Sequence, residues 1–490
     1  MNHTAIIGGG IGGLISALLL SRQGVNVTIY EKEARLGGRL AFEERDGFRI
    51  DQGPTIVLLP DMFQELLEEA GIGRDRYELI PCDPFYSLEF PDGLTFTKYR
   101  EPERHLAEMK RVFPGEIEGF QLFLKEGKER FTIGKTSFLE ESFVNPFDFW
   151  KPTNLKSLFK LRPYQSVKSL MSRYFQDERL QAIYALQSLY IGGNPFQAPA
   201  MYSLVSFAEH EYGIHYLKGG YASLVPVLEE ELRRRGVTIH LNSEVTEIPR
   251  EGKRVTGVRT KSGLKHFDSV VFNGDFPGID PLIKRKPTRK YEPSSGCVLF
   301  YFGLNKVFDE VNVHHYVMGE SFSDHMKDVF EEKKIPADPA IYTFHPSKID
   351  DSLAPEGKGV LYALVPVPSD TEIDWRNERE WMDSLIDKLE ARAFPGLRDA
   401  IEWMEVRTPQ DAEASGLHRG GSFGVAPTLF QSGVFRPQVK PFSIENLYAA
   451  GASVHPGGGI PLVMQGAKLM ADQLLNDQKD HAIKGVNVHV

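Results

Sequence analysis

The 490-residue chain holds only two cysteines, Cys82 and Cys297. They lie far apart and outside any CxxC pair, which removes a disulfide framework and a thiolate metal site from consideration. A reducing cytoplasm is the expected compartment. The opening Met1-Asn2-His3-Thr4 carries no cluster of positive charge, and Gly8, Gly9 and Gly10 break the apolar run that follows, so no export signal is read there. Long hydrophobic runs are also missing: residues 14–20 fall well short of the roughly 20 needed to cross a bilayer. Positive charge is in deficit, with 57 Lys and Arg against 67 Asp and Glu and a net charge of −10, which argues against a nucleic-acid partner. His210 and His215 are five residues apart, about 140° around a helix, so they do not share a face as paired metal ligands would. No metal is expected.

One stretch reverses the acidic balance. Between Lys151 and Gln176 there is no Asp or Glu, while Lys151, Lys156, Lys160, Arg162, Lys168 and Arg173 alternate with Trp150, Leu155, Phe159, Tyr164, Leu170, Tyr174 and Phe175. That composition suits either a membrane surface or a helical surface with its apolar side turned to a core. The remainder, 41% hydrophobic and 25% charged, is that of an ordinary globular protein. Its length calls for two intertwined domains.

At the N-terminus, residues 4–7 read as an apolar strand running into Gly8-Gly9-Gly10-Ile11-Gly12-Gly13, with a helix beyond. The spacing lets the chain turn at Gly8, brings backbone against a pyrophosphate at Gly10, and packs helix on strand at Gly13. Phosphates then meet the helix N-terminus, where free N–H groups and the helix dipole favour anions. A second strand over residues 25–30 ends at Glu31, placed to accept hydrogen bonds from a ribose 2′-hydroxyl. Two further segments complete this half. Residues 224–236 read as a helix leading to a strand over 237–241. The stretch Gly451 to Gly459 is a glycine-rich loop, from which Pro461 opens a helix carrying Leu462 and Val463. The N-terminus of that helix suits a ring system that gains negative charge on reduction.

The segment after Glu31, Leu36-Gly37-Gly38-Arg39, resembles the dinucleotide signature of the amine-oxidase and phytoene-desaturase flavoproteins, which nicotinamide dehydrogenases lack. The implied cofactor is FAD, with Arg39 as a fork for its pyrophosphate and Gly38 allowing close approach. Asp51-Gln52-Gly53-Pro54-Thr55, Lys218-Gly219-Gly220, Arg419-Gly420-Gly421-Ser422-Phe423-Gly424 and the loop from His455 to Pro461 extend the resemblance, in order, along nearly the whole chain. The sequence thus resembles the bacterial carotenoid (phytoene) desaturase family. Residues 51–63 and Leu189-Tyr190-Ile191-Gly192, with Pro195, Pro199 and Tyr202, are similar to its thirty-carbon, dehydrosqualene-desaturating branch.

The resemblance implies an α/β fold: a Rossmann-like FAD domain from residues 1–80, 215–290 and 416–490, interleaved with an α+β substrate and membrane-docking domain from 81–214 and 291–415. It implies cofactor contacts at Gly8, Gly10, Gly13, Glu31, Gly38, Arg39, Gly53, Pro54, Thr55, Val245, Gly451, Pro461, Leu462 and Val463. The implied chemistry is hydride transfer from a CH2–CH2 unit of dehydrosqualene to flavin N5, then proton loss. Residues 297–302 and 359–365 would be strands of a dry tunnel for this lipophilic polyene. His455 is the candidate base, with a loop-fixing role as the competing expectation. A sibling activity, oxidation of the terminal methyl of diaponeurosporene, stays open. So do another flavin oxidase acting on amines or porphyrinogens, a non-redox isomerase, and a carotenoid-binding membrane protein. With one dinucleotide turn in the chain, oxygen or a quinone is the expected electron acceptor. The expected location is the inner face of the cell membrane, docked peripherally through residues 150–176.

Overall fold

The computed structural model describes residues 2–369 and 372–487 of the chain. Residue 1 and residues 488–490 of the expected FAD domain, and residues 370 and 371 of the expected substrate domain, lie outside the described residues.

Two sheets organise the molecule. The first is parallel throughout, in the order Leu447–Ala449, Ser269–Phe272, His3–Ile7, Asn26–Tyr30, Thr238–His240. All five strands come from the three expected FAD segments. Parallel strands are covered on both faces, which is why His3–Ile7 and Ser269–Phe272 are almost continuously buried instead of alternating. The helix Ile11–Arg22 follows the first strand directly, and nine of its twelve residues are buried. It is apolar on every side because the sheet, the helix Leu224–Arg234 and the long helix Ile460–Asn487 all pack against it.

The second sheet has seven strands, ordered Ile401–Arg407, Gly296–Leu304, Gly359–Val367, Ile341–Phe344, His314–Val317, Tyr86–Glu89, Thr95–Lys98. Only His314–Val317 and Tyr86–Glu89 run parallel. The two nine-residue strands pair along their whole length, from Gly296↔Val367 to Leu304↔Gly359. Alternation then sorts their side chains by face. Val298, Phe300, Phe302, Leu361, Ala363 and Val365 pack on the helix Arg379–Arg392, while Tyr301, Tyr362 and Tyr316 point the other way, toward the helices Ile117–Gly134 and Leu204–Tyr212. This second face is the one that meets the parallel sheet's ligand end.

Two sequence expectations change. His210 ends up in the helix Leu204–Tyr212 and His215 in the strand His215–Leu217, separated by a turn at Gly213, so helical spacing does not relate them. Residues 150–176 divide. Leu155, Phe159 and Tyr164 are exposed, but Val167, Leu170, Met171, Tyr174 and Phe175 are core residues of the substrate domain. The later half of the acid-free stretch is therefore a core-facing surface, because its apolar side chains pack against Phe123 and Tyr184.

Candidate active site

The glycine turn is built by steric necessity. Gly8 has φ +100°, and a Cβ there would lie 2.9 Å from the Asn273 carbonyl oxygen. At Gly13 a Cβ would come within 2.2 Å of the Gly8 carbonyl oxygen, so only glycine lets the helix sit this close to the strand. The Gly8 N–H donates to Tyr30 O at 2.8 Å and the Gly37 N–H to Gly9 O at 2.8 Å, which joins the two glycine segments into one cradle. Glu31, at the end of its strand, is buried. Its two carboxylate oxygens accept the N–H groups of Gly9 (2.7 Å) and Glu33 (2.9 Å).

These residues border a cavity of about 1260 Å³. Drug-sized ligand sites span roughly 300–1,000 Å³, so this space suits more than one small molecule. Of the predicted cofactor residues, Gly8, Gly10, Glu31, Gly38, Arg39, Gly53, Pro54, Thr55, Val245, Gly451, Pro461, Leu462 and Val463 all line it. Gly13 does not; its part is the helix packing just described. Val463, in the first turn of the helix Ile460–Asn487, lies against Gly12 and so draws that helix N-terminus to the glycine turn. A glycine cradle, two helix N-termini for anionic oxygens and a carboxylate at the strand end together fit a dinucleotide such as FAD.

Arg39 also has a partner that sequence did not reveal. Its Nη1 donates to the Ser422 carbonyl at 2.7 Å, tying the cradle to the distant 419–424 segment. Enclosure lowers the pKa of this guanidinium, and the Asp275 carboxylate works in the opposite direction. Two further residues were missed. The Asn273 amide donates to Gly8 O at 3.1 Å, and Asp275 accepts the His418 N–H at 2.8 Å. Both follow the C-terminal end of a parallel strand, the usual ligand end of such sheets, and that position was the available signal.

His455 lines the cavity, but its Nε2–H donates to the carbonyls of Phe138 and Glu141, each at 3.0 Å. Burial pushes its pKa down to about 4. A neutral ring tied to two backbone carbonyls acts as a brace for the glycine loop and is a weak base at neutral pH. A different group reaches the chamber as a hydrogen-bonded chain: the Tyr342 hydroxyl lies 2.8 Å from Thr55 Oγ1 and 2.7 Å from His314 Nδ1. Burial holds His314 neutral, with its pKa lowered to about 3.

Beyond Thr55 the cavity continues along the second sheet, bordered by Leu299, Leu364, Tyr362, Tyr342, Tyr316 and Met318. Lys135, Phe138, Leu139 and Gly433 form its wall on another side. Phe138 packs with Phe143, Phe149 and Leu161 in a small cluster of its own. Two segments expose large apolar side chains: Phe147 (81% exposed), Trp150, Phe159 (75%) and Tyr164 in one, and Phe430 (68%) and Phe435 in the other. Among the described residues, no group of three His, Cys, Asp or Glu is placed to hold a metal ion, and no helix is long and apolar enough to cross a membrane.

The family model of the flavin-containing amine oxidoreductases matches residues 11–475. A 4,4′-diapolycopen-4-al dehydrogenase of Metabacillus indicus is 55% identical over 486 residues, covering 99% of each chain. A 4,4′-diapophytoene desaturase of Staphylococcus haemolyticus is 33% identical, over 96% of this chain and 98% of that one. Among solved structures, an oxidoreductase from Methanosarcina mazei aligns with a TM-score of 0.67 at 14% identity, over 96% and 100% of the two chains. Cyclohexylamine oxidase of Brevibacterium oxydans aligns at 0.61 and 14%, over 98% and 99%. At that identity these two speak for the fold alone. The chain belongs to the flavin-containing amine oxidoreductase family and, within it, to the bacterial C30 carotenoid desaturase group. It is an FAD-dependent oxidoreductase.

Proposed function

We propose that this enzyme oxidises the oxygenated end of a C30 polyene, taking a terminal aldehyde to a carboxylic acid. The observation that carries the broader reading is the single cavity, which joins a dinucleotide cradle to a long chamber walled by leucine, methionine and tyrosine. A hydrocarbon chain beside a flavin is what such a space accommodates. The finer choice rests on likeness. Similarity to the aldehyde dehydrogenase, 55% over 99% of both chains, exceeds the 33% shared with the desaturase. It favours terminal oxidation over the CH2–CH2 desaturation that the sequence motifs put first. Desaturation stands as the second reading, on the strength of an alignment that spans 96% of the chain.

FAD, when bound, supplies the two-electron acceptor. The overall reaction adds water to the aldehyde, removes a hydride from the terminal carbon and a proton from oxygen, and leaves the acid. The chain excludes bulk water with its aromatic chamber, orients the polyene along the second sheet, and places the Thr55 and Tyr342 hydroxyls, fixed by His314, beside it as hydrogen-bonding groups. The final electron acceptor under this reading is oxygen or a membrane quinone, since the described residues form one dinucleotide cradle.

A C30 polyene is supplied from a bilayer, and the exposed aromatics Phe147, Trp150, Phe159, Tyr164, Phe430 and Phe435 supply the docking surface this reading requires, with Lys156, Lys160 and Arg162 for anionic headgroups. The enzyme accordingly works at the inner face of the cell membrane. Replacing those three basic residues with Glu should lower co-sedimentation with anionic vesicles; undiminished binding would reject the docking. The catalytic test offers FAD-loaded protein a C30 polyene with one terminal aldehyde and, separately, dehydrosqualene. Carboxylic acid from the first supports the proposal, whereas a longer conjugated hydrocarbon from the second, with no acid from the first, moves the assignment to desaturation.

A further inference from the structure

One buried network plays no part in the dinucleotide site. Lys98 and Glu209 are both 0% exposed, and their Nζ–Oε2 separation is 2.7 Å. The same oxygen accepts the Tyr86 hydroxyl at 2.9 Å and the Gln187 amide at 3.1 Å, and Oε1 accepts the Tyr190 hydroxyl at 3.0 Å. The Tyr316 hydroxyl donates in turn to Tyr190 at 3.2 Å. Lys98, Glu209, Tyr86 and Gln187 have no surface on the cavity, whereas Tyr190 and Tyr316 line it. The network therefore has one outlet, a pair of phenols opening into the chamber.

A buried ion pair gains little over apolar residues of the same volume, because desolvation offsets the attraction. On this face Tyr316 pairs with Tyr342 on the next strand, Leu364 and Leu299 lie on strands farther across the sheet, and Met318 follows just past the end of the Tyr316 strand. What the pair does is hold the Glu209 carboxylate in place, so that Tyr190 is fixed as its donor. Tyr316 is held only by the longest bond of the set, and its proton can turn to a new acceptor at small cost. We propose that Tyr190 and Tyr316 form a subsite for a neutral oxygenated terminus of the polyene, an aldehyde or primary alcohol. A carbonyl oxygen accepts from Tyr316, and a hydroxyl donates to the free lone pairs of either phenol. A carboxylate is disfavoured, because the charge directly behind the phenols is Glu209 and Lys98 is reached only through it. The subsite would thus hold the aldehyde and release the acid. It deepens the reading of the enzyme as a terminal oxidase and rests on it.

The test compares full-length, FAD-loaded wild type with Tyr190→Phe/Tyr316→Phe. Each is titrated by fluorescence quenching with three C30 polyenes alike except for one terminus: methyl, aldehyde or carboxylate. Wild type should bind the aldehyde about five- to tenfold more tightly than the methyl compound, the increment expected of one or two neutral hydrogen bonds. The double variant should bring that ratio to about one without weakening the hydrocarbon. The carboxylate should bind no tighter than the hydrocarbon. A ratio preserved in the double variant, no aldehyde preference in wild type, or tight carboxylate binding would each overturn the subsite. Tyr316→Phe alone, which gives up only the 3.2 Å bond, serves if the double variant does not fold, and it should lose most of the preference. Turnover of the aldehyde by wild type is scored separately. Acid formation with an unchanged ratio sinks the subsite alone, and no acid formation sinks the oxidase reading.

Discussion

Replacing Lys98 with methionine leaves the Glu209 carboxylate fully buried without its cation. Three neutral donors remain on it, from Tyr86, Gln187 and Tyr190. Breaking a buried pair at one partner costs about 3–5 kcal/mol, because the surviving charge keeps its desolvation penalty and loses its compensation. Unfolding entropy for a chain of this length is about 1 kcal/mol per kelvin, so unfolding as one unit would lower Tm by ~3–5 °C. Differential scanning fluorimetry of FAD-loaded protein reads the shift. Lys98→Met/Glu209→Gln removes the orphaned charge as well as the cation, and should recover most of the loss. A single variant within one degree of wild type would refute the reasoning, since Glu209 would then be neutral or hydrated. So would a double variant no more stable than the single, since packing and not charge would then set the cost.

Three more outcomes follow from the geometry. Gly13→Ala should yield protein with little bound FAD by its visible absorbance, because the new methyl meets the Gly8 carbonyl at 2.2 Å; Gly115→Ala, whose Cβ meets nothing within 4 Å, should stay yellow. Glu31→Gln keeps one of the two acceptors used by Gly9 and Glu33 and removes the charge, so FAD should bind about 10- to 100-fold more weakly in a titration of apoprotein. His314, His345 and His455 are held neutral by burial, with pKa values pushed down to about 3, 4 and 4. Below about pH 6.5 the unfolded chain takes up protons that these folded rings refuse. Stability is therefore fully present above 6.5 and falls as pH drops toward 4, by roughly 1.4 kcal/mol per ring at pH 5.5. A Tm flat between pH 7 and 5 would contradict this assignment.

The dinucleotide half could be read directly because its constraints are local. Gly8, Gly13 and Glu31 lie within one strand–turn–helix–strand unit, where periodicity and glycine spacing have a single steric interpretation. The glycine-rich loop before Pro461 was readable for the same reason. The substrate half depends on partners distant in sequence. Alternation in residues 297–302 and 359–365 shows that two faces exist, but not that Tyr362, Leu364 and Leu299 are the face turned to the cavity. That follows from pairing with residues 55 to 108 positions away. Composition was the weakest guide. The acid-free stretch has one texture throughout, yet Phe159 is 75% exposed and Phe175 is 0%, because helix packing against Phe123 and Tyr184 decides which apolar side chains are covered. Likewise the Arg39–Ser422 bond spans 383 residues and leaves no local trace.

The substrate chamber also explains why its polar groups are mostly phenols. A tyrosine presents a large apolar ring to a hydrocarbon and keeps a single hydroxyl, which can be paired away from the chamber. Tyr342 pairs with Thr55 and His314, and Tyr190 pairs with Glu209. Each ring thus lines the space as an apolar wall while its oxygen is satisfied by a neighbouring element. Phenylalanine would give the wall without these ties, and serine would give the hydroxyl with a void beside it. The chamber can therefore exclude water along a polyene and still offer hydrogen bonds at chosen points. A reaction on an oxygenated terminus needs both properties at once, whereas a reaction on a pure hydrocarbon needs only the first.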